Sequence, residues 1–300
     1  MRSNIHLVAI AILASQPAAA AYPDAAGMPG TTAIPMDSPL FVAWAAGHTD
    51  YQPGSAVDAI WQTPAKALGP ASGSVYDIVC LGNGGRITLT FPDPVRDAPG
   101  ADFAVFENSI SDWFLELAFV EVSSDGVHYF RFPTVSLTTS PVGPFGEVEP
   151  TEIDGFAGKY RAGFGTPFDL ASLPDSPLLD KQHVRFIRIV DIIGDGATKD
   201  SASRPIYDPT PTTGSGGFDL EAIGVIHQNS AAPRMMASGL TEQGFLLRWE
   251  SNPGTVYQIL ESTDLKSWQP ATTLTASTAV SEIVLPTGGS HAKYWKVGKL

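Results

Sequence analysis

A run of carboxylates between residues 191 and 221 is the part of this chain best equipped for chemistry. It reads Asp191-Ile-Ile-Gly-Asp195-Gly-Ala-Thr-Lys-Asp200, passes through Tyr207-Asp208-Pro209, and closes at Gly216-Gly-Phe-Asp219-Leu-Glu221. Calcium takes about six to eight oxygen ligands from carboxylates, main-chain carbonyls and water, and a glycine-rich segment lets carbonyls turn inward. Asp219 and Glu221 stand two apart in a strand-like run, so both project from one face. The pattern nominates Asp191, Asp195, Asp208, Asp219 and Glu221 as calcium ligands. The competing expectation is a solvated loop whose aspartates cap turns. The spacing is not that of an EF-hand.

Other chemistries are weaker in this sequence. Glu107, Glu116 and Glu121 could supply the paired carboxylates of glycoside hydrolysis, but no motif separates an acid from a nucleophile. His48, His128, His183, His227 and His291 are isolated, without the close spacing of a zinc site. No Gly-x-Ser-x-Gly elbow occurs. Thr213-Gly-Ser-Gly-Gly217 precedes a strand and lacks the spacing of a phosphate loop. The single cysteine, Cys80, lies in the apolar run Ile78-Val79-Cys80-Leu81 and reads as a small buried hydrophobe. An internal disulfide is therefore impossible.

Aromatic residues supply a binding signal. Trp44, Tyr51 and Trp61 precede the first firm strand in loop-like sequence, and Trp113 follows Asn108-Ser-Ile-Ser-Asp112. Loops at one end of a β-sandwich are where ligand sites are built, and an exposed ring can stack on a sugar face. These four are the candidate ligand-binding residues. The alternative for each is a core plug, the role expected of Trp249 and Trp268.

Composition limits what such groups can serve. The 300 residues include 29 Gly and 25 Pro with only 16% charged residues, which points to strands and turns rather than helices. Residues 1–21 read as a secretory signal: Arg2, an apolar Leu7–Leu13 stretch, then an Ala-rich cleavage site. No later window of about 18 apolar residues exists, so no transmembrane segment is expected. The mature chain should be secreted, soluble or held at the cell surface. Net charge is −13, and residues 21–228 hold 26 acidic against 11 basic residues. That field repels phosphate backbones and argues against nucleic acid as a partner.

The elements that would position these groups are short strands. Residues 22–40 are Pro/Gly/Ala-rich and read as a flexible lead-in. The first domain, 41–228, offers strands at Asp77–Gly82, Arg86–Phe91, Asp102–Glu107, Leu117–Val122, Tyr129–Phe132, His183–Val190 and Phe218–Ile226. A hairpin through Ser123-Ser-Asp-Gly126 joins two of them. Residues 229–233, Asn-Ser-Ala-Ala-Pro, form a linker. A smaller module, 234–300, alternates polar and apolar residues around Phe245–Trp249, Tyr257–Trp268 and His291–Val297.

Four phrases of the first domain resemble discoidin-like, galactose-binding-like β-sandwiches. They are Ala67-Leu68-Gly69 with Cys80-Leu81-Gly82, the Val120–Phe130 hairpin, Val184-Arg-Phe-Ile-Arg-Ile189, and Leu220-Glu-Ala-Ile-Gly-Val225. Phe103–Asn108 and Gly217–Glu221 are also similar to bacterial secreted cell surface proteins. The second module resembles fibronectin type III-like domains through its Leu247-Arg-Trp249, Tyr257–Trp268 and Tyr294-Trp-Lys-Val297 phrases. The resemblance implies an all-β chain, a discoidin-like jelly-roll sandwich followed by a small fibronectin type III-like sandwich. It also implies that Glu221, at the closing strand, occupies the place of a usual calcium ligand. The expected function is non-catalytic recognition of extracellular glycan, with structural calcium. Adhesion to a cell-surface protein is the alternative, and extracellular hydrolysis the third.

Overall fold

The computed structural model describes residues 22–229, 233–287 and 292–299. The expected signal segment and residues 230–232 of the expected linker lie outside them. The chain is all-β: antiparallel sheets joined by turns and a few one-turn 3₁₀ helices. It divides into two compact units, Met1–Gln228 and Asn229–Leu300. No helix among the described residues is long and apolar enough to cross a membrane.

Two sheets of the first unit enclose its main core. One has five strands, in the order Gly47–Gln52, Arg86–Val95, Val184–Asp191, Ala118–Ser123 and Phe130–Arg131. The other runs Ile34–Pro35, Phe164–Phe168, Phe103–Glu107, Asp219–Val225 and Ala43–Trp44, with Val79–Cys80 also on the Asp219–Val225 strand. Strict alternation explains the first sheet. Ile87, Leu89, Val120, Val122, Ile187 and Ile189 enter the core, while the residues between them face the other way.

That outer face is held by charge. Arg188 lies opposite Thr88 on one side and Glu121 on the other, and Glu121 lies opposite Arg131. The Arg188 guanidinium sits 3.4 Å from the Tyr129 ring centre and 3.6 Å from both Asp50 and Glu121. Thr88 is fully buried beneath this row. Long side chains thus cover this part of the outer face, while Phe119 and Val190 on the same face pack into a second core with Ile153, Phe156 and Ile206.

The Asp219–Val225 strand is buried along its whole length. Leu220, Ile223 and Val225 face the main core. A register shift between Leu220 and Ala222 turns Ala222 to the opposite face, where it packs with Phe106, Phe41 and Trp44. Residues 22–40, expected as a flexible lead-in, are instead built into the unit. Ile34 pairs with Gly165, Thr32 bonds the Tyr160 hydroxyl, and Ala25 and Ala26 are buried. The Gly/Pro-rich stretch after Phe132 likewise packs a second core from Val142, Val148, Ile153 and Phe156 against Leu117 and Ile206.

The second unit consists of two three-stranded sheets, Met235–Thr241/Gly244–Glu250/Val280–Leu285 and Gln269–Thr275/Val256–Ser262/Tyr294–Lys299. Trp249 and Tyr257 fill its core. Trp268, expected there too, is only half-buried, with Lys296 over its ring.

One turn is repeated between the units. Ser123 Oγ accepts from the Asp125 and Gly126 amides, and Asp125 Oδ1 accepts from Val127 and His128. Ser262 and Asp264 do the same for Asp264, Leu265, Lys266 and Ser267. The left-handed position is Gly126 in one, φ 77°, but Leu265 in the other, φ 60°. That conformation costs an L-residue roughly 1–2 kcal/mol, partly offset because glycine loses more entropy on folding. Leu265→Gly is therefore expected to stabilise the second unit by up to about 1 kcal/mol. A urea midpoint that stays put or falls would refute this.

Candidate functional site

The first unit carries a cleft of ≈ 560 Å³, built where five connecting segments, around Trp61, Tyr76, Asn108–Glu116, Phe145 and Thr212, meet one end of the long buried strand. Asp219, first residue of that strand, stands on its floor with Glu116. The walls bring two stacked ring pairs. Trp61 and Tyr76 lie 6.5 Å apart at 18°, and Phe114 and Phe145 lie 6.5 Å apart at 25°. Tyr76, Ile110 and Phe145 are largely exposed. Asn108, Thr212 and Ser215 add polar atoms.

Local hydrogen bonds set each wall. Ser55 bridges to Asn83 and Val57 to Ser215, which fixes the 3₁₀ turn Ala59–Trp61. The loop after Glu107 is wound by its own side chains. Glu107 Oε2 accepts from the Ser109 amide at 2.7 Å, the single Ser109 hydroxyl hydrogen is shared between the Ser111 and Phe114 carbonyls, and Ser111 Oγ accepts from the Phe114 amide. Short hydroxyl side chains offer the backbone such partners where neither helix nor ladder can. Asn108 Nδ2 donates to the Val75 carbonyl at 3.0 Å and to Asp219 Oδ2 at 3.2 Å, joining two walls to the floor.

The floor is acidic and nearly dry. Asp219 is 4% exposed, and its Oδ1 is buried with no hydrogen-bond partner. Burial pushes the Asp219 carboxyl up to about 7, against the Cys80 thiol and Asn108 amide beside it. Burial, then the neighbouring Asp219 and Glu107, raises Glu116 well above the usual carboxylate range. Glu107 is raised for the same reasons, burial first and Asp219 second. Desolvation and like charge act in the same direction on all three.

The five acids expected to hold calcium do not meet at one point. Asp191 bridges the Gly84 and Phe218 amides, each at 2.7 Å. Asp208 accepts from Leu117 at 2.8 Å, and Asp195 is exposed and caps Ala197. Glu221 Oε1 accepts from Ser72 N, Ser72 Oγ and Gly73 N. The supposed metal loop is a hairpin, Asp195–Lys199 with Pro205–Tyr207. The ligand set is corrected accordingly: four of the five carboxylates hold loop amides, and Asp219 faces the cleft. Among the described residues, one trio brings ligating atoms within 4.8 Å of one another, Asp97, Asp102 and Asp169. Asp102 there is already occupied by the Ala98 and Leu170 amides and by His227.

Of the four candidate aromatics, Trp61 lines the cleft. Trp113 is exposed on the same loop as Ile110 and Phe114 but is not among the lining residues. Trp44 and Tyr51 are not loop residues. Trp44 pairs with Gly224 in a sheet and packs on Phe41 and Phe106. A Cβ at Gly224 would lie 2.6 Å from Phe41, so the glycine lets these rings cover the strand. Tyr51 sits in the five-stranded sheet and donates its hydroxyl to the Cys80 carbonyl at 2.8 Å. Glu121 pairs with Arg131 on the sheet's outer face, away from the cleft. Tyr76 and Phe145 were missed, although each carries the signal that nominated Trp44: an aromatic among glycines, serines and prolines, as in Ser72-Gly-Ser-Val-Tyr76 and Gly143-Pro-Phe-Gly146.

No protein-family model matches the chain, and no curated protein matches it. Among solved structures it aligns with the crystal structure of a β-1,2-glucanase from Parabacteroides distasonis, at 12% identity and a TM-score of 0.22. The alignment covers 72% of this chain and 28% of that one. A likeness so low carries no argument about activity.

Proposed function

We propose that the first unit is an extracellular carbohydrate-binding domain of the galactose-binding-like type, with the aromatic-walled cleft as its sugar site. The observation that supports this reading is the pairing of stacked, solvent-reaching rings with amide, hydroxyl and carboxyl groups in one concave site. Aromatic faces take the apolar faces of a sugar, and a few convergent polar groups orient its hydroxyls.

A second reading, hydrolysis, draws on Glu116 and Asp219 sharing the floor. Glycosidic cleavage needs two carboxyls whose environments push their proton affinities apart, one acid and one ionised partner. Here burial raises both. That favours binding over turnover.

Trp61→Ala should weaken glycan binding about tenfold, since loss of an aromatic stack is worth on the order of 1 kcal/mol. Trp61 is half-buried at the rim, so the melting temperature should change little. A glycan array on the native protein, followed by titration of its best ligand against this variant, tests the reading. Absence of any glycan signal would favour the protein-adhesion alternative. Release of reducing sugar from any polysaccharide, abolished in Glu116→Gln, would favour hydrolysis.

A further inference from the structure

The cleft is one-sided in charge. Two carboxyl residues, Glu116 and Asp219, line it, and none of its lining residues is Lys, Arg or His. Lys66, near one wall, directs its Nζ to the Tyr76 carbonyl at 2.6 Å and is not among the lining residues. A neutral sugar would leave this imbalance untouched. An anionic one, such as a uronate, would find no cation among the lining residues and two carboxyls that it could only hold in their protonated form.

The second observation is the unpaired oxygen. Asp219 Oδ1 is buried beside the cleft with no N–H or O–H donor, the weak Cys80 thiol being the other group beside this carboxyl, whereas Oδ2 holds the Asn108 amide. Buried acceptors are normally satisfied, and an ionised one costs most when left alone. A donor carried by the ligand would complete it, and a cationic donor would also favour the ionised carboxylate over the protonated form that burial promotes.

The walls point the same way. Trp61, Tyr76, Phe114 and Phe145 present four aromatic rings around this floor. The faces of such rings are electron-rich and attract ammonium groups, the more so when water is excluded. A carboxylate floor beneath aromatic walls is thus complementary to an amine rather than to a hydroxyl.

We propose that the cleft takes an amine-bearing sugar, with its protonated amino group seated at Asp219 and Glu116 beneath the aromatic walls. This assignment rests on the carbohydrate reading above and narrows it to cationic glycans, such as deacetylated amino-sugar polymers. Binding is by ion pairing and ring contact; no bond is made or broken.

The test is titration calorimetry of the full chain at pH 7 with four probes of equal length: a glucosamine tetramer, its N-acetylated counterpart, a galacturonate tetramer and tetralysine. The glucosamine tetramer should bind at least tenfold more tightly than the N-acetylated one, and the uronate should give no heat. In Asp219→Asn that preference should collapse, so that the two amino-sugar tetramers bind alike. Should Asp219→Asn fail to fold, Glu116→Gln must reduce the preference at least threefold. Equal binding of the two tetramers to the native protein would overturn the amine assignment while leaving the carbohydrate site standing. No binding by any sugar would overturn both. Tetralysine binding as tightly as the glucosamine tetramer would overturn the assignment in favour of a basic peptide partner. An undiminished preference in a folded Asp219→Asn would overturn it as well.

Discussion

Raising the pH from 5 to 8 should lower the melting temperature by on the order of 10 °C, the reverse of the usual behaviour of a protein with many acidic residues. Burial raises Asp219 from an ordinary 3.8 to about 7 and Asp191 to about 6. Glu107, Glu116 and Asp208 are raised well above the carboxylate range, burial again being the main cause. Between the unfolded and folded values, the folded chain holds protons that the unfolded chain has released, so stability falls as pH rises. Each tenfold difference in proton affinity is worth about 1.4 kcal/mol; the part lost between pH 5 and 8 spans about two such factors for Asp219 and one for Asp191, on the order of 4 kcal/mol together. For a unit of this size, each kcal/mol moves the melting temperature by about 2–4 °C.

The acid side has its own limit. Asp125 and Asp264 are held below the usual range, Asp125 first by the His128 side chain and Asp264 first by the Ser267 amide. Their contribution is present above the unfolded value near 4 and is lost as pH falls through the folded one. Stability should therefore peak near the unfolded carboxylate value, at about pH 4. Differential scanning fluorimetry from pH 3.5 to 8.5 checks both arms, and Asp219→Asn should flatten the decline between pH 5 and 8. A melting temperature that rises steadily to pH 8 would show that the buried carboxyls are compensated in a way the structure does not contain.

Gly158→Ala should be the most damaging single methyl group near the cleft. Gly158 has φ 85°, and a Cβ there would lie 1.9 Å from the Glu116 carbonyl oxygen and 3.1 Å from the Phe218 ring. The neighbouring Ala157 exchanges both main-chain hydrogen bonds with Ala118, so the segment cannot simply retreat. Left-handed strain and overpacking together should cost roughly 2–5 kcal/mol. If the variant folds, Glu116 must move with its carbonyl, and ligand affinity should fall although no ligand-contacting side chain has changed. Gly163→Ala is the control: its φ is 82° but a Cβ there meets nothing within 4 Å. It isolates backbone strain, and should cost about 1–2 kcal/mol with binding retained. Equal losses in the two variants would mean that the contact with Glu116 is unimportant.

Much of the architecture was legible because alternation is a local signal. Arg86–Phe91, Val184–Val190 and Val120–Val122 announce strands whose alternate residues are apolar, and the structure uses those faces as the core. The all-β class follows from the same patterns together with the many turn residues. Short strands without alternation were invisible: Ile34–Pro35, Ala43–Trp44 and Phe164–Phe168 exist because a neighbouring strand offers them hydrogen-bond partners. Such pairing depends on residues far away in sequence, so no local window contains it.

The site divides along the same line. The sequence by itself determined that Asp219 and Glu221 share a strand, that aromatics stand among glycines and prolines, and that the first domain is strongly acidic. Tertiary structure decided what each acid does. Glu221 turns one oxygen to the amides of Ser72 and Gly73, 148 or 149 residues away, while Asp219 takes the Asn108 amide and lines a cleft. It also decided that Trp44 and Tyr51 complete packing while Trp61, Tyr76, Phe114 and Phe145 gather around one floor. A carboxylate's role depends on which donors reach it, and an aromatic ring's on which surface it meets. Both are set by segments remote along the chain, which is why composition could announce an acidic, aromatic protein and only the fold could assemble an acidic, aromatic cleft.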